Sequence, residues 1–269
     1  MCNRFFDDQH HYWLEFDENR CLKLSRHNVD FIRAILRIDS DYKNSFDVND
    51  ESSARYYIVH HAEGYVQNEE IIHEICRRID KENSTHLSVS GNNPGDNTGI
   101  TIMARYISGI EDLHEQLNRG DSELVSQIAN CVHGQNKFSF ATKFCANMCR
   151  NLFTNAVADN YVLYDKVIAH ILPYYAWKYA NRVYVRRYRR NGTEYYSSCI
   201  ETEFKTERRY QEYRELIDVI LNNAVTENGN ERLSREEFDT MLWYYYKGSG
   251  EEIKTALRTT YQHIHPNLH

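Results

Sequence analysis

Two residues of this sequence have the type and placement to do covalent chemistry. One is Lys143 in Ala141-Thr142-Lys143-Phe144, and the other is Asp165 in Leu163-Tyr164-Asp165-Lys166. Each sits where the pattern predicts the start of a helix. A lysine beside a helix N-terminus meets the positive end of the helix dipole, which favours the neutral amine. A partly desolvated amine is a nucleophile toward an electrophilic carbon. A carboxylate brought near the same carbon would stabilise positive charge developing there. Spacing alone leaves a second reading open, in which Lys143 is an ordinary surface lysine.

The elements that must position this pair follow from residues 133–179. Asp121 to Val132 predicts a helix with Asp121 or Ser122 as its cap and Leu124, Val125, Ile128 and Ala129 facing inward. Gly134 stands where a glycine ends a helix. A tight hairpin follows, then a helix over Phe140 to Leu152 with Lys143 near its first turn and Phe144, Met148 and Leu152 on one side. After a loop, a further helix opens on Asp165. The loop would fold the second helix back beside the first, so that lysine and aspartate converge.

Composition sets the frame. The chain has 269 residues, 41% hydrophobic and 26% charged, with three prolines. That length buries a real core, and so few prolines favour helix over a turn-rich β fold. The expected fold class is mainly α, with two helical subdomains, residues 1–120 and 121–269, flanking a cleft. Tyrosine is over-used, at 21 copies against 11 phenylalanines. Its ring packs while its hydroxyl stays hydrated, which suits wet surfaces such as clefts.

Other chemistries find little support. Seven cysteines, an odd number without a CxxC, point to reduced thiols and a cytoplasmic setting. His60, His61, His73 and His86 match no zinc spacing, and His73-Glu74-Ile75-Cys76-Arg77 lacks the second histidine of HExxH. No carboxylate cluster has metal-ligand spacing either, so neither metal nor cofactor is expected. No run of roughly 20 apolar residues suggests a membrane span and no signal-peptide pattern opens the chain.

Along the chain, helices are expected over Ser25 to Ser40, Ala54 to Tyr65, Asn68 to Lys81 with Asn68 as cap, and Ile100 to Leu117. Between the last two lies Ser84 to Gly99, rich in Gly, Asn and Pro. Its Asn92 and Asn93 could approach DNA, or the stretch could be a plain linker. The net charge of −7 weighs against phosphate-driven binding over the whole surface, though not against a local basic groove. Arg182 to Arg190 holds five arginines and is followed by Asn191-Gly192, a strong hairpin signal. Two readings stay level. One is a basic ribbon clamping a nucleic-acid backbone through Arg186, Arg187 and Arg189; the other is a solvated hairpin or a helix continuing from Tyr179.

The segment ATKFCANMC followed by YVLYDKVIAHI resembles the catalytic segment of the helix-hairpin-helix DNA glycosylases, and most closely the bacterial branch similar to 8-oxoguanine DNA glycosylase. In that family a Gly-Thr-Lys-type turn opens the second hairpin helix with the catalytic lysine, and a catalytic aspartate follows about twenty residues on. Thr142 and Lys143 match the turn and Asp165 the aspartate. Asn136 to Phe140 and the late helix Ser234 to Lys247 also fit, so the likeness covers residues 121–179 and 234–247. The glycine-rich hairpin of the family is missing, with Gly134 its only glycine, so the motif is degenerate and Lys137 is the substitute phosphate contact.

The resemblance implies a monomeric enzyme that binds double-stranded DNA, extrudes a damaged or modified base and cleaves its glycosidic bond. Lys143 would attack the sugar and allow strand cleavage at the abasic site, with Asp165 stabilising the charge. Phe140, Tyr164 and Trp243 are the stacking candidates for the base, with Asn136 and Lys137 on the DNA. Modified bases of phage DNA, in a defence role, are within its reach. The alternative is a non-catalytic helical module that binds nucleic acid or protein.

Overall fold

A computed structural model describes residues 13–38, 50–61, 64–83, 85, 87, 98–132, 135–206 and 209–266. Among them helices dominate, and strands are confined to one antiparallel pair. The chain forms two compact units. The first joins Met1–Asp39 to Asp165–His269, and the second is Ser40–Tyr164. The division expected at residue 120 falls inside the second unit. The reason is packing: helices on both sides of residue 120 pack on the same long helix, Phe138–Leu152.

In the second unit, α2 (Ala54–His61) and α3 (Glu69–Asn83) come first. As expected, Asn68 caps α3, its Oδ1 accepting from the Ile71 amide at 3.1 Å. The single helix expected over Ile100 to Leu117 is two, α4 (Thr98–Ser108) and α5 (Leu113–Arg119). Gly109 marks the break. Its amide is shared between the Arg105 and Tyr106 carbonyls, and the Ile110 amide turns back to Ile107. The apolar period runs through this break, so pattern alone reads one helix.

Next come α6 (Ser122–Asn130), capped by the Asp121 carboxylate, and α7 (Phe138–Leu152). The centre of the unit is α7, against which α2, α3, α5 and α6 all pack. Buried side chains on these packed helices include Phe140, Phe144 and Met148 of α7, Ile72, Ile75 and Ile79 of α3, and Leu124 and Ile128 of α6. This helix begins two residues earlier than expected. The Lys137 amide bonds the Ala129 carbonyl at 2.9 Å and Asn136 Oδ1 accepts from the Phe138 amide at 3.0 Å, which brings the start forward.

The first unit is built on α8 (Lys166–Ala180), which packs on α9 (Tyr210–Asn223), α10 (Arg235–Tyr246) and α11 (Gly250–Ile264). The early helix α1 (Arg26–Ile38) packs on α10, where Glu237 accepts from both Arg26 and Arg33. The strands β1 (Val185–Arg190) and β2 (Thr193–Ser198) form the hairpin that the Asn-Gly pair predicted. Asn191 and Gly192 both have positive φ, 50° and 78°, as a type I′ turn needs. The reading that a helix continues from Tyr179 is thereby replaced. Asn181 stops α8 in the left-handed region, with its amide on the Ala176 carbonyl.

A polar cluster fastens residues 14–24 to α8 within this unit. Asp17 Oδ1 accepts from the amides of Asn19 and Cys21, each at 3.0 Å, while Oδ2 accepts from the Tyr174 hydroxyl and from Lys178 Nζ at 2.9 Å. The Tyr175 hydroxyl donates to the Leu22 carbonyl at 2.7 Å, and the Leu22 amide donates to the Tyr246 hydroxyl at 3.1 Å. These tyrosines are buried. The abundance of tyrosine therefore serves this interior more than wet surfaces. Burying a phenol is tolerable here because each hydroxyl finds a backbone or carboxylate partner.

Candidate active site

The local geometry starts at Thr142, one residue before Lys143 on α7. Its Oγ1 donates to the Ser139 carbonyl at 3.0 Å and accepts from the Tyr164 amide at 3.0 Å. One turn earlier, Ser139 Oγ donates to the Tyr164 carbonyl at 3.1 Å. Both backbone groups of Tyr164 are thus held by hydroxyls of the lysine-bearing helix. The returning segment is also anchored further back, where the Tyr161 hydroxyl donates to the Gln116 and Asp121 carbonyls, each at 3.1 Å. Sequence reasoning assigned Thr142 to a turn, Ser139 to the stretch leading into it and Tyr161 to the aromatics near the site, without the hydrogen bonds they make. Hydroxyl residues bonding across 22 to 45 positions leave no mark in a local pattern.

Lys143 lies on this helix at 5% exposure. That sets aside the reading of an ordinary surface lysine, because buried lysine is rare unless its charge is matched or its amine is used. It stands in the second turn of α7 rather than the first, since the helix starts at Phe138. The dipole acts mainly within the first turn. The position of Lys143 is thus marked by its burial more than by the dipole.

Asp165 is the N-cap of α8, as expected. Its backbone is extended and its Oδ1 accepts from the Val167 amide at 2.7 Å. Lys143 belongs to the second unit, and Asp165 opens the return of the chain into the first.

Several expected contacts take other places. Phe140 is 1% exposed and stacks on Phe144, and Tyr164 is 3% exposed with its ring edge-on to Phe138. Both were expected to stack on a base; both rings are buried in the second unit. Trp243 on α10 remains partly exposed, with Lys247 Nζ 4.3 Å from its ring centre. Burial pulls the Lys137 ammonium below its ordinary value against a smaller opposing pull from Asp80. Asn136 serves the start of α7. Asn92 and Asn93 lie outside the described residues.

The arginines of the hairpin divide by face. Arg187 and Arg189 share Glu194, at 3.4 and 3.1 Å, and Arg187 also lies over the Tyr261 ring of α11. Arg186 bonds Ser197 across the ladder at 3.3 Å.

Elsewhere, His60 and His61 stack on Tyr56 and Tyr57 one helical turn back, and each ring Nδ1 meets that tyrosine's carbonyl. Among the described residues, no helix is long and apolar enough to cross a membrane, and no group of three or more His, Cys, Asp or Glu is placed to hold a metal ion.

Comparison with known proteins is confined to part of the chain. A family model described as HI_0787_N, an N-terminal domain, matches residues 49–152. Those residues fall wholly inside the second unit. A protein of Haemophilus influenzae described as uncharacterized is 27% identical over 147 residues, which is 54% of this chain and 55% of that protein. The chain thus spans about half the length of the curated relative it matches. No solved structure shows a significant match.

Proposed function

We propose that this protein is a DNA N-glycosylase that excises a damaged or modified base, phage-type modifications included, with Lys143 and Asp165 as its catalytic residues. The observation that carries the reading is the clamp on Tyr164. Two hydroxyls of the Lys143 helix fix the residue immediately before Asp165, at 3.0 and 3.1 Å. A nucleophile and a carboxylate need such positional control to act on one carbon. The burial of Lys143 supports it as well.

In the proposed reaction the target nucleotide is extruded from the duplex and the Lys143 amine attacks the sugar C1′. The glycosidic bond breaks and the base departs, while Asp165 stabilises the positive charge that builds on the sugar. Loss of a proton from the nitrogen and opening of the sugar give a Schiff base, from which β-elimination breaks the strand. If Lys143 instead holds a phosphate, Asp165 with water performs the excision alone.

A second reading, a non-catalytic binding module, is favoured by one observation: Asp165 Oδ1 already has a structural task as the cap of α8. The deciding experiment follows strand cleavage over duplexes carrying oxidised, alkylated, deaminated and phage-type modified bases. Wild type is compared with Lys143→Gln and Asp165→Asn. Base release lost in both variants supports the enzyme, and breakage without alkali makes Lys143 a lyase nucleophile. Equal DNA binding by all three proteins with no base release would overturn it in favour of the module.

A further inference from the structure

The hairpin of the first unit presents two chemically different faces. In the β1–β2 register, Arg187 faces Tyr196 and Arg189 faces Glu194, and this side meets α11 through the contacts of Arg187 and Tyr196 with Tyr261. Side chains alternate along a strand, so the other side carries Arg186 opposite Ser197, Tyr188 opposite Tyr195, and Arg190 opposite Thr193. On that side the two tyrosine rings stack, with centroids 5.4 Å apart and planes 17° from parallel. Tyr188 is 46% exposed and Tyr195 42%. Among the described residues, no carboxylate pairs with Arg186 or Arg190.

We propose that this outer face binds single-stranded DNA, with a base stacked on the Tyr188–Tyr195 pair and neighbouring phosphates on Arg186 and Arg190. Exposed stacked aromatics offer a π surface to any base, and flanking arginines match the charge of the strand. Charge complementarity is local, since the whole chain carries −7 while residues 182–190 carry five arginines. The inner face is less suited, because Glu194 already neutralises part of the charge on Arg187 and Arg189. The type I′ turn at Asn191-Gly192 keeps the ribbon regular to its tip, so that Arg190 stays in line with Arg186. The proposal goes beyond base excision, because it needs neither Lys143 nor Asp165 and no modified base.

The test uses the full chain and a fluorescein-labelled oligothymidine of about 12 nucleotides, followed by anisotropy over a range of salt. The competitors are a duplex of the same length and an abasic sugar-phosphate strand. The oligothymidine is expected to bind about tenfold or more tighter than the abasic strand. Tyr188→Leu with Tyr195→Leu keeps an apolar cross-strand pair and should remove that difference, whereas Tyr188→Phe with Tyr195→Phe should keep it. Arg186→Gln with Arg190→Gln should lower the salt slope by about 1.4, at roughly 0.7 per contact, and by more than Arg187→Gln with Arg189→Gln does. Equal binding of based and abasic strands would overturn the proposal. So would preference for the duplex, an unchanged leucine variant, or equal slope losses in the two arginine variants. The probe contains no target base, so its failure and a failure of base release are separate results.

Discussion

The Tyr164 amide donates to Thr142 Oγ1 at 3.0 Å, which ties the end of the second unit to the helix that carries Lys143. Both partners are buried, so removing the acceptor leaves an unmet amide. Thr142→Val is isosteric and should destabilise the protein by about 1–3 kcal/mol, while Thr142→Ser should stay within a few tenths. Urea unfolding of the two variants checks this. A valine variant as stable as wild type would show the bond to be idle.

Asp165 has a capping task that can be separated from any catalytic one. Asparagine caps a helix about as well as aspartate, whereas alanine costs about 1 kcal/mol. Asp165→Asn should therefore melt like wild type, and Asp165→Ala should melt lower. Base release should vanish in both variants. Activity that survives in the asparagine variant would reduce Asp165 to a cap.

The ion pair between buried Asp17 and half-buried Lys178 has 2.9 Å between its atoms, with Glu227 3.4 Å from the same amine. Removing one partner of such a pair costs about 3–5 kcal/mol. The value here should fall near the low end, because Asp17 keeps Tyr174 and two backbone amides as donors. Chemical denaturation of Lys178→Met measures it. The loss should exceed that of Lys254→Met, whose surface partner is Glu251.

Glu74 gives a pH signature. Hydrogen bonds from Arg77, and then Arg78, outweigh burial and hold its carboxyl down at about 2, against an ordinary value of 4.5. A depressed acid contributes stability above its unfolded value and loses it as pH falls toward the folded one. The difference between wild type and Glu74→Gln should therefore be full above pH 4.5 and shrink between pH 4.5 and about 2. The site is only partly shielded from solvent, so its size should be about 0.3–1 kcal/mol and should decline in high salt. Thermal melts across this range give the answer.

The thiols should be inert in the native state. Burial pushes Cys21 and Cys149 up to about 12 and Cys76 and Cys145 well above their ordinary value. At pH 8 a disulfide reagent should modify these four only after denaturant is added. Peptide mapping of the labelled protein identifies them. Fast native labelling of any of the four would contradict the packing around it.

What the sequence reveals and what it hides divides along physical lines. The cap at Asn68 and the Asn191-Gly192 turn are made by neighbours in sequence, and each is legible there. Phe140 illustrates the opposite case. Its residue type suits a base pocket and a core equally, and only the packing against Phe144 distinguishes them. The hydroxyl clamp on Tyr164 depends on the return of the chain, which no local pattern encodes. The same holds for the pairing of residues 14–38 with helices near the far end.

That last pairing sets an order of events during synthesis. Arg26 and its partner Glu237 are separated by 211 positions, and the whole second unit lies between them in the chain. At about 5–20 residues per second, α1 waits roughly 10–40 s for α10 to emerge. Meanwhile Val29, Ile32, Ile35 and Leu36, all buried in the finished protein, belong to a helix that lacks its α10 neighbour. Every residue of the second unit is synthesised in that interval. The nascent chain therefore passes through a stage in which α1 is made and the helix that packs on it is not.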